Sequence, residues 1–151
     1  MSGETQAVSE RGLAMLLEAS RDFAIRQIAQ GKRLIPFAGR ANLTGEIDFI
    51  RFVDEDTELP LGEIYDQTQA AIAQEAGAGQ LVAATTVSAV GGEAGQFGEG
   101  FDSAIRIHVE AQGYSRVVLA PYRIEQPDGA GAKLVVGEML PIEAEPAVFA
   151  T

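Results

Sequence analysis

His108 is the single histidine of this chain and the one side chain that titrates near neutral pH without perturbation. It lies in an alternating run in which Phe101, Ser103, Ile105, Ile107 and Val109 point one way, while Asp102, Ala104, Arg106, His108 and Glu110 point the other. If the chain reverses at Gln112-Gly113, Ile105 faces Ala120, Asp102 faces Arg123, and Ser115 joins the face of His108 and Glu110. A serine, a histidine and a carboxylate are the raw material of nucleophilic catalysis, provided that the histidine lies between the other two and an oxyanion site is near. In this register Ser115 stands opposite Glu110 and only diagonal to His108, and no Gly-x-Ser-x-Gly elbow is present. The pattern therefore assigns no catalytic residue and expects His108 on a solvated strand face.

Other polar groupings miss the context that their chemistry requires. Asp54, Asp56 and Glu58 alternate like the opening of a calcium loop, but the position of the tight-turn glycine is Leu59 and that of the bidentate glutamate is Tyr65. The run is read instead as negative charge at a helix N-terminus. The stretch Gly91-Gly92-Glu93-Ala94-Gly95-Gln96-Phe97-Gly98-Glu99-Gly100 lacks the Gly-Lys-Ser/Thr ending of a phosphate loop and precedes a strand, so it reads as a flexible loop. Arg106, Arg116 and Arg123 could clamp a carboxylate, but their dispersal favours solvation of the sheet and pairing with nearby acids. With no cysteine and one histidine, the chain offers no thiolate chemistry and no histidine-rich zinc site, and no metal or cofactor is expected.

Eleven Lys and Arg oppose 22 Asp and Glu, giving a formal charge of -11 that repels phosphate backbones and anionic headgroups. Nucleic acid is not expected as a partner. No apolar run reaches the roughly 20 residues that span a bilayer, and the start Met1-Ser2-Gly3-Glu4-Thr5-Gln6 does not resemble a secretory signal, so no membrane contact and a cytoplasmic location are expected. At 151 residues, 46% of them hydrophobic, the chain can enclose one core as a single domain.

The elements that must position these residues follow from periodicity. Ser9 is a competent N-cap, and Leu13, Leu16, Leu17, Ser20, Ala24 and Ile28 form one stripe with Phe23 at its margin, which predicts a helix over 9–30. Gly31, Lys32 and Arg33 end it, with charge suited to the helix dipole, and the stretch 1–8 ahead of it is expected to be flexible. Two strands are expected over 34–37 and 46–53, with Gly39, Asn42 and Gly45 in the loop between them and Pro36 at an edge or bulge. Ile50 breaks the alternation of the second, so both its faces are covered or a bulge shifts its register. Thr57 is the expected cap of a second helix ending near Ala76, with Leu61, Ile64, Tyr65, Thr68, Ile72 and Ala76 on its apolar stripe. Leu81 to Val90 reads as a strand covered on both faces. The hairpin across Gln112-Gly113 follows, then a turn at Pro127-Asp128-Gly129, a final strand over 133–140, and an extended tail over 141–151.

The order α-β-β-α-β-β-β-β calls for an α+β domain with two helices packed on a mainly antiparallel sheet of five to six strands. It is similar to the element order of profilin-like and roadblock-like domains, a likeness of fold that carries no functional residue across. Two helices can cover one face of such a sheet. On the polar side of the hairpin, Val117, Leu119 and Pro121 then need a cover, which is the tail Ala147-Val148-Phe149, a second copy of the chain, or another protein. The leading expectation is a non-enzymatic interaction or regulatory module that forms a homodimer through this surface. The alternatives are a small-molecule-binding protein or weak hydrolase with a pocket lined by Glu63, Tyr65 and His108 between the second helix and the glycine stretch, and an acidic antidote to a basic toxin.

Overall fold

The computed structural model describes residues 9–31, 33–54, 56–125 and 133–149. The stretch 1–8, Lys32, Glu55 and the turn expected at Pro127-Asp128-Gly129 lie outside the described residues. The described elements run α1 (Glu10–Ala29), β1 (Phe37–Asn42), β2 (Ile47–Ile50), α2 (Leu61–Gly77), β3 (Leu81–Gly91), β4 (Ser103–Ala111), β5 (Tyr114–Glu125), β6 (Lys133–Val136) and β7 (Leu140–Glu143). They form an α+β fold with two helices on one antiparallel sheet of seven strands, one more than the upper expectation. The order across the sheet is β2-β1-β3-β4-β5-β6, and β7 pairs with β5 beside β6. The extra strand comes from the expected final strand, which breaks after Val136, where the Gly137 N–H reaches the Pro121 carbonyl at 2.8 Å. The chain then resumes pairing in β7, which joins Leu140, the end of the expected strand, to 141–143 of the expected tail, with Leu140 opposite Leu119 and Ile142 opposite Val117.

Both helices follow their apolar spacing. Ser9 accepts a hydrogen bond from the Gly12 N–H at 2.9 Å and so caps α1, whose residues Leu16, Ser20, Ala24 and Ile28 are buried at every fourth position. In α2 the buried residues are Ile64, Thr68 and Ile72, again four apart. Its cap position is taken by Pro60 and not by Thr57, whose hydroxyl instead accepts from the Leu59 N–H in the preceding turn.

The helices lie on opposite faces of the sheet. Ala24 and Ile28 of α1 pack with Phe37, Val87, Ile105, Ile107 and Ala120, while Ile72 of α2 packs with Ala38, Leu81 and Ala84. Neighbouring residues of one strand, Phe37 and Ala38, therefore join different cores, as a period of two requires. Ile50 meets the expectation of double cover, since Phe49 packs toward α1 and Ile50 toward α2. Phe23, Phe37 and Phe49 form an aromatic group on the α1 face, with ring centroids 4.7, 4.8 and 5.9 Å apart.

β1 lies further along the chain than expected, and Gly39 is inside it. The reason is contact across the core: Ser20 of α1 and Thr85 of β3 meet by hydroxyl contact at 2.8 Å, and the Gly39 N–H donates to Thr85 Oγ1 at 3.0 Å. A Cβ on Gly39 would lie 2.5 Å from Thr85 Oγ1, 2.9 Å from Ser20 Oγ and 3.1 Å from the Phe49 ring. The hairpin that follows is held by the Asn42 side chain, which accepts from the Thr44 and Glu46 amides at 3.0 Å.

The register across Gln112-Gly113 is the expected one, with Ile105 opposite Ala120 and a left-handed Gly113 at φ 77°. The pair expected between Asp102 and Arg123 is replaced: Arg123 bonds Glu125 at 3.0 Å and lies over the Phe101 ring, while Asp102 accepts from the Gly95 N–H. The glycine stretch closes into successive turns around a buried Phe97, whose N–H bonds the Phe101 carbonyl. Only glycine conformations at Gly95, Gly98 and Gly100 let those turns form.

The crowding at Gly39 leads to a stability prediction. Gly39→Ala is expected to destabilise the fold by about 1–3 kcal/mol through overpacking, read as a lower urea midpoint with unchanged slope; an unchanged midpoint would show that Ser20 and Thr85 yield freely.

Candidate functional site

The polar residues singled out from the sequence converge on the α2 face of β3, β4 and β5, but they do so inside the protein. Thr86, His108, Glu110 and Ser115 are all buried, Glu110 with no exposed surface at all. His108 is only 4% exposed, so the expectation of a solvated strand histidine is corrected. The cause is that α2 and the segment following β7 roof this part of the sheet, which strand parity alone does not reveal.

Glu110 is met by main chain. Its Oε1 accepts from the Ala147 N–H at 2.8 Å, the Val148 N–H at 3.0 Å and the Phe149 N–H at 3.3 Å, and its Oε2 accepts from Val148 at 3.0 Å. Three successive amides thus converge on one carboxylate, the arrangement by which a bent backbone binds an anion. Val148 is buried beside Ala38, Ile72, Leu81 and Ala84, with Phe149 packed at the margin.

His108 Nε2 lies 2.8 Å from Ser115 Oγ and 3.5 Å from Glu110 Oε2. A catalytic triad needs the carboxylate on the other ring nitrogen, so that Nε2 is free to take the serine proton. Here both partners face the same nitrogen. The adjacent negative charge favours a proton on Nε2, which then donates toward Ser115 and Glu110 and is no base for that serine. His108 Nδ1 is buried without a hydrogen-bond partner among the described residues, as is Oγ1 of Thr86, its cross-strand neighbour on β3. Burial lowers the His108 pKa from its usual 6.5; Glu110 opposes this shift and Arg106 adds to it. The shift favours the neutral imidazole.

Arg106 extends the row toward α2. It donates to the Tyr65 hydroxyl and stands 5.3 Å over the Tyr65 ring, while burial raises the Tyr65 pKa despite that guanidinium. Tyr65 and His108 are therefore brought to the same region, on either side of Arg106, whereas Glu63 is exposed in the first turn of α2 and joins neither. Cavities of about 340 and 310 Å³ open away from this row, beside Arg40 and beside Leu13, while one of about 520 Å³ borders it, lined by Ser115, Arg116, Pro146 and Phe149. The three arginines do not converge, since Arg116 bonds the Ser115 carbonyl and lies over Tyr114, and Arg123 turns to Glu125.

The expected interaction surface is redrawn. Val117 and Pro121 are buried and Leu119 is half-buried, so two of the three named residues are not surface. Leu119 instead adjoins Leu140 and Ile142 of β7, which are 39% and 49% exposed on the same face, beyond the reach of α2. Leu140 ends the expected final strand; for Ile142 the signal was present in the alternation Leu140-Pro141-Ile142-Glu143, but two nearby prolines favoured a tail over a strand. Ile124 and Val136 are exposed on the opposite face at the same end of the sheet.

Among the described residues no group of three His, Cys, Asp or Glu side chains is placed to hold a metal, and no helix is long and apolar enough to cross a membrane. Asp54, Asp56 and Glu58 are exposed ahead of α2. The fold and site define an α+β protein with a sealed polar row under one helix and an open apolar strip beside it. Compared with protein families, curated proteins and solved structures, the chain has no significant match.

The lowered His108 pKa sets a pH dependence. The unfolded imidazole takes a proton near pH 6.5 and the folded one only at lower pH, so this contribution to stability is fully present above about pH 6.5 and is lost as pH falls through the folded value. The urea midpoint is expected to fall between about pH 7 and pH 5, and His108→Gln to flatten part of that slope; identical slopes would place the dependence on the carboxylates alone.

Proposed function

We propose that this chain is a non-enzymatic protein-interaction module that self-associates through the strip formed by Leu119, Leu140 and Ile142. The observation that carries the reading is the exposure of Leu140 and Ile142 beside Leu119, on the sheet face that α2 and Val148 cover further along. Apolar area left in water forfeits roughly 25 cal/mol per Å², which favours a cover. The isolation of His108 supports the non-enzymatic half of the proposal, because its Nε2 is shared by Ser115 and Glu110 and is screened from solvent.

The charge of -11 makes nucleic acid and anionic membrane poor partners, in keeping with a role among proteins of the cytoplasm. It also sets two copies against each other at long range, so the strip must supply the attraction at contact. A ligand-binding or hydrolytic role has less support, since Glu63 stands apart from Tyr65 and His108. The antidote reading rests on acidity alone.

Light scattering at micromolar concentration is expected to give a dimer whose dissociation constant falls with added salt, as screening removes the mutual repulsion. Leu140→Asp and Ile142→Asp, each at an exposed position, are expected to raise that constant by about 100-fold or more while circular dichroism is unchanged, because an aspartate in the desolvated interface lacks a partner. A wild-type chain that is monomeric at micromolar concentration overturns the proposal.

A further inference from the structure

The segment following β7 is held to the sheet in an unusual way for a strand neighbour: it adds no strand over 144–149, and the hydrogen bonds of Ala147, Val148 and Phe149 go to one side chain, Glu110. A carboxylate with no exposed surface is costly to bury without donors, so Glu110 needs either these amides or equivalent ones. Beside it, Ala38, Ile72, Leu81 and Ala84 surround Val148 with small and branched side chains, a pocket shaped by one valine. Together they form a groove with a reader for main-chain amides and a socket for one apolar side chain. That is the chemistry of peptide recognition, in which main-chain hydrogen bonds give affinity and a side-chain pocket gives specificity.

The sheet does not need this segment for its own ladders. β3, β4 and β5 are paired with one another along their length, β5 is closed on its other side by β6 and β7, and the α1 core contains no residue beyond Met139. We propose that the face between α2 and the Glu110 end of β4 is a peptide-docking groove, and that Pro146–Phe149 is its resident ligand, bound in cis as a strap that opens without unfolding the sheet. A partner segment that competes for it would present consecutive free amides and an apolar pair equivalent to Val148 and Phe149. The groove lies on the same sheet face as the Leu119, Leu140 and Ile142 strip but is built from other residues, so it does not require self-association.

Hydrogen exchange on the full wild-type chain tests the strap directly. The amides of Ala147, Val148 and Phe149 are expected to exchange by local opening at least about 100-fold faster than those in the middle of β4, with rates independent of protein concentration. Exchange together with β4 would make the segment an inseparable part of the core, and exchange that slows with concentration would mean docking on a second copy; either overturns the proposal. Binding supplies the second readout, using a fluorescent peptide of residues 144–151 and anisotropy. The full chain carrying Val148→Asp, its strap weakened, is expected to bind this peptide saturably and at least about 10-fold more tightly than wild type, whose groove is occupied. The same peptide carrying Val148→Asp should not bind. Equal binding of the two peptides, no binding to the variant chain, or unfolding of that chain by the substitution would each count against a separable ligand.

Discussion

A carboxylate placed in the interior of a sheet must be given hydrogen-bond donors, and Glu110 receives three from consecutive amides that lie well beyond it in sequence. That demand organises one whole side of the molecule. It draws the segment after β7 back across β4, which seats Val148 against α2 and the centre of the sheet. It also places a carboxylate beside His108 Nε2, the nitrogen that faces Ser115, where the charge favours a proton on that nitrogen. A set of residues that reads as incipient catalysis in one dimension becomes a fastening in three.

The opposite face depends on steric closeness instead of charge. α1 approaches β1 and β3 so nearly that Ser20 and Thr85 touch, and only the absence of a side chain at Gly39 allows it. The hydroxyl pair gives that close approach a polar seam inside an otherwise apolar core of Phe37, Val87, Ile105 and Ile107. The two helices thus grip the sheet from both sides by different means, one through a stripe ending in aromatic rings, the other through a stripe aided by the returning segment.

What could be read from sequence was whatever depends on near neighbours. Both helices follow spacings of three and four, and the hairpin register follows from alternation and a two-residue turn, so Ile105 does face Ala120. Failures arise where a distant contact decides. Gly39 resembles a loop residue until Ser20 is brought to it, and 141–143 resemble a tail until β5 offers an unpaired edge. The burial of His108 and Glu110 was likewise hidden, because polar alternation on a strand normally marks the solvent side and the roof comes from residues 146–149. Helices on opposite faces, not one, follow from the same cause: the face each stripe meets is chosen by tertiary packing.

The outer margins of the sheet have a consequence of their own. β2 at one end and β6 and β7 at the other are each four residues long, and the last two are set end to end along β5 with a break at Gly137. Pro141 brings no amide hydrogen to its margin, and Asp48 on β2 adds a charge. Short, interrupted and charged borders cannot template a long ladder with another chain, so growth by strand addition into fibrils is disfavoured. An outline of this kind leaves the flat of the sheet, and not its borders, as the broader surface for contact with other chains.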